Sequence, residues 1–132
     1  MIATLAIVGI AIPLQIHSDE SKALQLKSPL DVLTDTSNVQ EIKSAVVFLA
    51  EKYGLNENQL LTTLQCESGL RHNKIYGDSG SAYGVAQFHK PTFNAYCQGD
   101  YYNIKDQLNC LVFMWQKGLQ HHWSCWKQYF LN

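Results

Sequence analysis

A chain of 132 residues with 46% hydrophobic content can bury one real core, but two domains would leave each too small. A net charge of −1 supplies no basic stripe for nucleic acid and no strong pull toward an anionic surface, so neither is expected to hold a partner. Binding must then rest on cleft shape, aromatic stacking and hydrogen bonds.

Residues 2–16, IATLAIVGIAIPLQI, are an apolar run broken by Pro13 and followed by the polar His17-Ser18-Asp19-Glu20. The run is too short and too interrupted for a membrane span, and it fits the core of a secretory signal. No Lys or Arg stands in the first positions and no small-x-small site precedes Ser18. Residues 1–17 are therefore expected as an export signal or an uncleaved anchor, with a buried core helix as the plain alternative. Membrane attachment is expected through this segment alone. Residues 18–36 are polar, mixed in charge and carry Pro29, which reads as a linker or loosely ordered arm before a domain over 37–132.

That domain opens with Ser37 as N-cap and Gln40 as its capping partner, and Ile42, Ala45, Val46, Leu49 and Tyr53 recur at helical spacing as far as Gly54. A second helix starts at Asn56, with Gln59 three residues on, and stops at Gly69. Leu60 and Leu64 lie four apart on its inward face, and the same spacing puts Glu67 or Ser68 there in the last turn. A carboxyl in that position has desolvation and the negative end of the helix dipole against its ionisation. Its pKa should rise, as a general acid requires near neutral pH. An ordinary exposed helix-end residue is the alternative.

Residues 69–84 contain Gly69, Gly77, Gly80 and Gly84 among polar residues, with Tyr76 and Tyr83, a composition for tight turns or a short irregular hairpin. Folded over the helix end, this loop would bring Asp78 toward Glu67. Two carboxylates flanking a bond, one protonated and one ionised, are the usual equipment for glycoside hydrolysis. Asp78 reads equally as a turn residue in Gly77-Asp78-Ser79-Gly80.

Pro91 then suits the start of a short helix over Thr92–Cys97, closed by Gly99. Asn103 and Asp106 open the most regular helix, with Ile104, Leu108, Leu111, Val112, Trp115 and Leu119 on one core stripe. No strand of useful length is expected outside the Gly-rich loop, so the fold class is mainly α with at most a small hairpin. In the closing HHWSCWKQYF, Trp123 and Trp126 could stack on pyranose rings or plug the core, and His121 and His122 read as surface or groove-rim residues.

Cys66, Cys97, Cys110 and Cys125 are an even set in a chain expected to be exported, so disulfides are the default, with three pairings open. Cys97 and Cys110 flank the turn between consecutive helices, whereas a Cys66–Cys125 bridge would tie the Glu67 helix to the C-terminal segment; that pairing is the prediction. There is no Cys-x-x-Cys, and His121-His122 is not a standard ligand spacing, so no metal and no cofactor are expected, although Cys66, His72, His89, His121, His122 and Cys125 could in principle converge on zinc.

Glu67-Ser68, a Gly-rich loop and then Gly84-Val85-Ala86-Gln87, in that order at the end of a capped helix, resemble the lytic transglycosylase domain and its relative, goose-type lysozyme, over about residues 38–126. The resemblance implies a lysozyme-like α+β fold and an exported enzyme, expected as a monomer, whose partner is a peptidoglycan glycan strand. Glu67 matches the catalytic acid, Ser68 the serine beside it, and Gln87 a glutamine lining the sugar cleft. Tyr83, Gly84, Phe88 and His89 fall in the matching stretch and, with Ser68 and Gln87, are expected to bind the sugar, and Asp78 resembles one acidic residue of the goose-type enzyme. A second goose-type aspartate would fall at His89, where the match fails, and Ala86 replaces a methionine, implying a roomier cleft wall. The family's later tyrosine motif is not found, leaving Trp123, Trp126 and Tyr129 as candidates for an aromatic lid.

Overall fold

In the computed structural model, residues 9–11 and 26–131 are described; apart from 9–11, the expected export segment lies outside the described residues, as do positions 18–25. Among the described residues the chain forms five helices and a three-stranded antiparallel sheet of very short strands, a mainly helical α+β domain. No helix of the described residues is long and apolar enough to cross a membrane.

Helix α1 spans Val39–Tyr53 and buries Ile42, Ala45, Val46, Leu49 and Ala50. Its capping box lies one residue later than expected: the Asn38 side chain accepts from Glu41 N (3.0 Å) while the Glu41 carboxylate accepts from Asn38 N (2.8 Å). Ser37 is diverted because its hydroxyl accepts from Thr34 N (3.0 Å) in the preceding turn. Tyr53 is not on the buried stripe. It is exposed, with the Lys52 ammonium 5.3 Å from its ring centroid. Helix α2, Glu57–Ser68, starts at Asn56, which accepts from Gln59 N (3.0 Å), ends at Gly69 and buries Leu60, Thr63, Leu64 and Ser68.

Residues 28–36 of the segment read as a linker lie against the domain. They make two turns, bury Leu33, and offer the Asp35 carboxylate to Ile104 N (2.8 Å) while Lys105 Nζ donates to Asp31 C=O (2.7 Å). An acceptor at the first turn of a helix satisfies a donor that the helix itself leaves open. The strap therefore caps helix α4, Ile104–Gln116, alongside Asn103.

Strands β1 (Tyr76–Gly77), β2 (Ala82–Tyr83) and β3 (Phe88–His89) pair so that Tyr76, Tyr83 and Phe88 align in one row and Gly77, Ala82 and His89 in the next. The third strand, beyond the Gly-rich loop, was not expected. Successive strand residues face opposite ways, so His89 shares a face with Gly77 while Phe88 and Tyr83 go into the core. Helix α3, Lys90–Tyr96, has Pro91 in its first turn but ends at Cys97, whose extended backbone (φ −113°, ψ 162°) stops it before Gly99. Helix α4 buries the expected stripe and also Gln107; Leu119 lies beyond its end, half-buried against the core. Helix α5, Ser124–Phe130, packs on α2. Both predicted disulfides form, Cys66–Cys125 (Cα–Cα 6.0 Å) and Cys97–Cys110 (5.3 Å), a pattern that fits an oxidising compartment.

Between β2 and β3 the chain turns through Gly84–Gln87, and Val85 and Ala86 are wholly buried. Buried backbone groups need partners, and here side chains supply all four. The His72 Nδ1 accepts from Val85 N (3.1 Å) and Ser68 Oγ donates to Val85 C=O (2.7 Å). Gln107 Oε1 accepts from Ala86 N (3.2 Å) and Trp123 Nε1 donates to Ala86 C=O (2.8 Å). The turn is tight because Gly84 has φ +81° and a Cβ there would lie 2.7 Å from both the Gln107 amide and His72 Cε1. Gly84→Ala adds left-handed strain to a steric clash with the clamp, and we expect a loss of about 3 kcal/mol in urea denaturation, with Gly80→Ala, whose Cβ meets nothing, losing less.

Candidate active site

Leu60 and Glu67 are seven residues apart, about two turns, so the carboxyl follows the buried face of α2 to its last turn. There it is half-buried and accepts one hydrogen bond, from Cys125 N (3.2 Å) at the start of α5. Desolvation by this burial raises its pKa above the ordinary 4.5, and the negative charge of Asp78 raises it further. The Cys125 N–H and the charge of His89 pull the other way without cancelling the shift. Glu67 is thus biased toward keeping its proton while one edge stays open to solvent.

Asp78 sits in the turn between β1 and β2 and pairs with the residue expected to break the match: His89 Nε2 lies 2.8 Å from Asp78 Oδ2. Both are exposed, and both act on Glu67 through space. Gln87 has φ +49°, and its Nε2 donates to Ile75 C=O (3.2 Å) and Gly84 C=O (2.9 Å), so the amide orientation is set by two acceptors. Its Oε1 lies where a Cβ on Gly77 would come within 2.0 Å, so only glycine leaves room for it. That oxygen accepts no hydrogen bond among the described residues. Beside it is a small cavity of about 30 Å³, with Gln87, His89, Thr92 and His122 at the rim and the buried Phe88 and Trp123 as floor.

Several residues expected at the sugar are buried or engaged elsewhere. Ser68 is buried, and its hydroxyl is used on Leu64 C=O (3.1 Å) and Val85 C=O, so it joins α2 to the turn. Tyr83 is buried among Tyr76, His72, Tyr101 and Tyr102, and Gly84 lies beneath the Gln107 amide. Ala86 is wholly buried, so it forms no cleft wall. Trp123, 4% exposed, presents no ring face for stacking; it packs edge-on against Phe88 (5.4 Å). Trp126 is half-buried with its Nε1 donating to Gln59 Oε1 (3.2 Å). Tyr129 lines the largest groove, about 650 Å³, with Leu61, Thr62, Gln65 and Cys66. At 100° per residue those α2 positions lie mostly on the face away from Glu67, so Tyr129 is not a lid over the acid.

His72 and Gln107 were missed as site-building residues. Gln107 left a trace, a polar residue inside the apolar stripe of α4; His72 left none. The His72 ring is buried, and its Nδ1 accepts from Val85 N, so the proton lies on Nε2, which donates to Tyr102 C=O (2.7 Å). Desolvation lowers its pKa below 6.5, so its contribution to stability is complete above that pH and is lost as pH falls. Cys66 and Cys125 are bonded to each other, and among the described residues no three His, Cys, Asp or Glu side chains gather as a metal site.

Comparison with protein-family models, curated proteins and solved structures finds no match to this chain. Its chemistry is therefore read from its own residues. A raised carboxyl pKa favours folding below the ordinary value, and that advantage is lost as pH rises from 4.5 through the folded value. Glu67→Gln keeps an acceptor for Cys125 N but removes the ionisation, so the variant should melt above the wild type at pH 7 and level with it below about pH 4. Calorimetric melting across pH checks this, and a variant that melts lower at pH 7 would contradict it.

Proposed function

We propose that this chain is an exported lytic transglycosylase that cuts the β-1,4 bond between N-acetylmuramic acid and N-acetylglucosamine in peptidoglycan. The observation that carries the reading is Glu67 itself, a carboxyl whose hold on its proton is strengthened by desolvation at a helix end, with an open edge. Gln87 supports it with an amide whose nitrogen is held by two carbonyls, which leaves its oxygen to accept from a sugar hydroxyl or N-acetyl N–H.

Glu67 donates its proton to the bridging oxygen, and the N-acetylglucosamine side leaves as an alcohol. The resulting carboxylate then takes the proton of the muramoyl C6 hydroxyl while that oxygen bonds to C1. The product is a 1,6-anhydro ring, no water is consumed, and Glu67 ends protonated. One carboxyl suffices. Asp78 is already held by His89, which fits a supporting rather than a water-activating role.

A second reading is a goose-type hydrolase, favoured by the reach of the Asp78 charge to Glu67. An inverting enzyme needs its carboxyls roughly 6.5 to 9.5 Å apart to admit a water. A glycan-binding module without turnover is the non-enzyme alternative.

Mass spectrometry of muropeptides released from purified peptidoglycan tests these together. We expect products one water lighter than reducing ends, a loss of roughly 10² to 10⁴-fold or more in Glu67→Gln, and most activity retained in Asp78→Asn. Reducing-end products abolished by Asp78→Asn would establish the hydrolase. Folded, oxidised protein that releases nothing would overturn the enzyme reading.

A further inference from the structure

The cavity beside Gln87 has a neighbour. Its rim residue His122 rests edge-on against Tyr96, with ring centroids 5.4 Å apart. Tyr96 lies four residues beyond Thr92, another rim residue, and so continues the same face of α3 by one turn. From Tyr96 a second groove of about 240 Å³ opens between α3 and α4, over the Cys97–Cys110 bridge.

The lining of that groove restricts what it can take. Tyr96 and Phe113 stand on it as large aromatic residues, 41% and 43% exposed, where burial would ordinarily be favoured. Between them are the amides of Gln98 and Asn109, whose side chains make no hydrogen bond among the described residues. The one charged group on the lining, Asp106, already accepts from Asp100 N (2.8 Å). The nearest cation, Lys117, is not on the lining and is drawn to Phe113, its Nζ 5.6 Å from the ring centroid, while the Asp106 carboxylate opposes an anionic ligand. A wholly apolar ligand would cover two amides without pairing them, which is unfavourable. An uncharged molecule with flat apolar faces and a polar edge satisfies both, and a pyranose ring has that form.

We propose that the α3–α4 groove is an outlying sugar subsite that holds a distal stretch of the same glycan strand whose scissile bond lies at Glu67. This rests on the peptidoglycan reading of the Glu67 site. It implies preference for long strands over short fragments, set by Tyr96 and Phe113 rather than by the residues at the acid.

The test is calorimetric titration of the Glu67→Gln protein with peptide-free glycan strands of four and eight sugars. The longer strand should bind roughly tenfold more tightly, and Tyr96→Ala with Phe113→Ala should remove most of that gain. Tyr96→Phe with Phe113→Tyr keeps the rings and should restore it, which separates stacking from a folding defect. Equal affinity for the two lengths, or a length gain that survives the double alanine change, would overturn the subsite. The two proposals fail separately. If wild-type protein cuts strands but shows no length gain, the groove falls and cleavage stands. A ring-dependent gain with no cutting would leave the groove standing and sink cleavage, and no binding at either length overturns the subsite directly.

Discussion

Val85 and Ala86 cross the interior with no backbone partner for either N–H or either C=O, and side chains from four separate parts of the chain meet those groups. An unmet buried amide or carbonyl costs about 1 to 3 kcal/mol, so each clamp residue is held in place as firmly as it holds the turn. Ser68 comes from α2, His72 from the loop after it, Gln107 from α4, and Trp123 from the residue before α5. The arrangement fixes the end of α2, and therefore Glu67, against the turn that presents Gln87. It also explains why residues beside the acid in sequence are not beside it in function: Ser68, Tyr83, Gly84 and Ala86 build the wall from behind.

The second constraint is the Cys66–Cys125 bridge. It joins the residue before Glu67 to the residue whose N–H the carboxyl accepts, so one covalent link and one hydrogen bond act on the same few atoms. Closing a loop across 59 residues restrains the unfolded chain, a contribution typically of about 2 to 4 kcal/mol. That stability offsets what the half-buried carboxyl gives up at neutral pH. The single N–H matters in its restraint as well. More donors would pull the pKa back down, and a proton donor would become an ordinary carboxylate.

The helices were legible because their signals are local. Asn56 and Asn103 cap as read, the stripes of α2 and α4 are buried, and both disulfides join the predicted cysteines. The first cap was displaced by one residue through a competing turn, a choice between Ser37 and Asn38 that composition does not settle. Spacing placed Glu67 or Ser68 on the inward face of α2, and both lie there, Ser68 buried and Glu67 half-buried with its pKa raised. What escaped the sequence is long-range. Trp123 and Trp126 carry the same residue type in one segment, yet Trp123 is buried with its N–H on Ala86 C=O while Trp126 stays half-buried with its N–H on Gln59. The strap over residues 28–37 looked like a linker because its contacts are a few polar groups and one leucine, too sparse to make a periodic pattern.

The whole account depends on a proton at Glu67, and that proton can be observed directly. Carbon-13 NMR of the Glu67 side-chain carboxyl, followed through a pH titration of the oxidised protein and assigned by its loss in Glu67→Gln, measures the affinity in place. The account predicts a midpoint above 4.5, raised by burial and by the charge of Asp78. A midpoint at or below 4.5 would show that burial has not strengthened the hold of Glu67 on its proton, and would contradict the assignment of Glu67 as the acid.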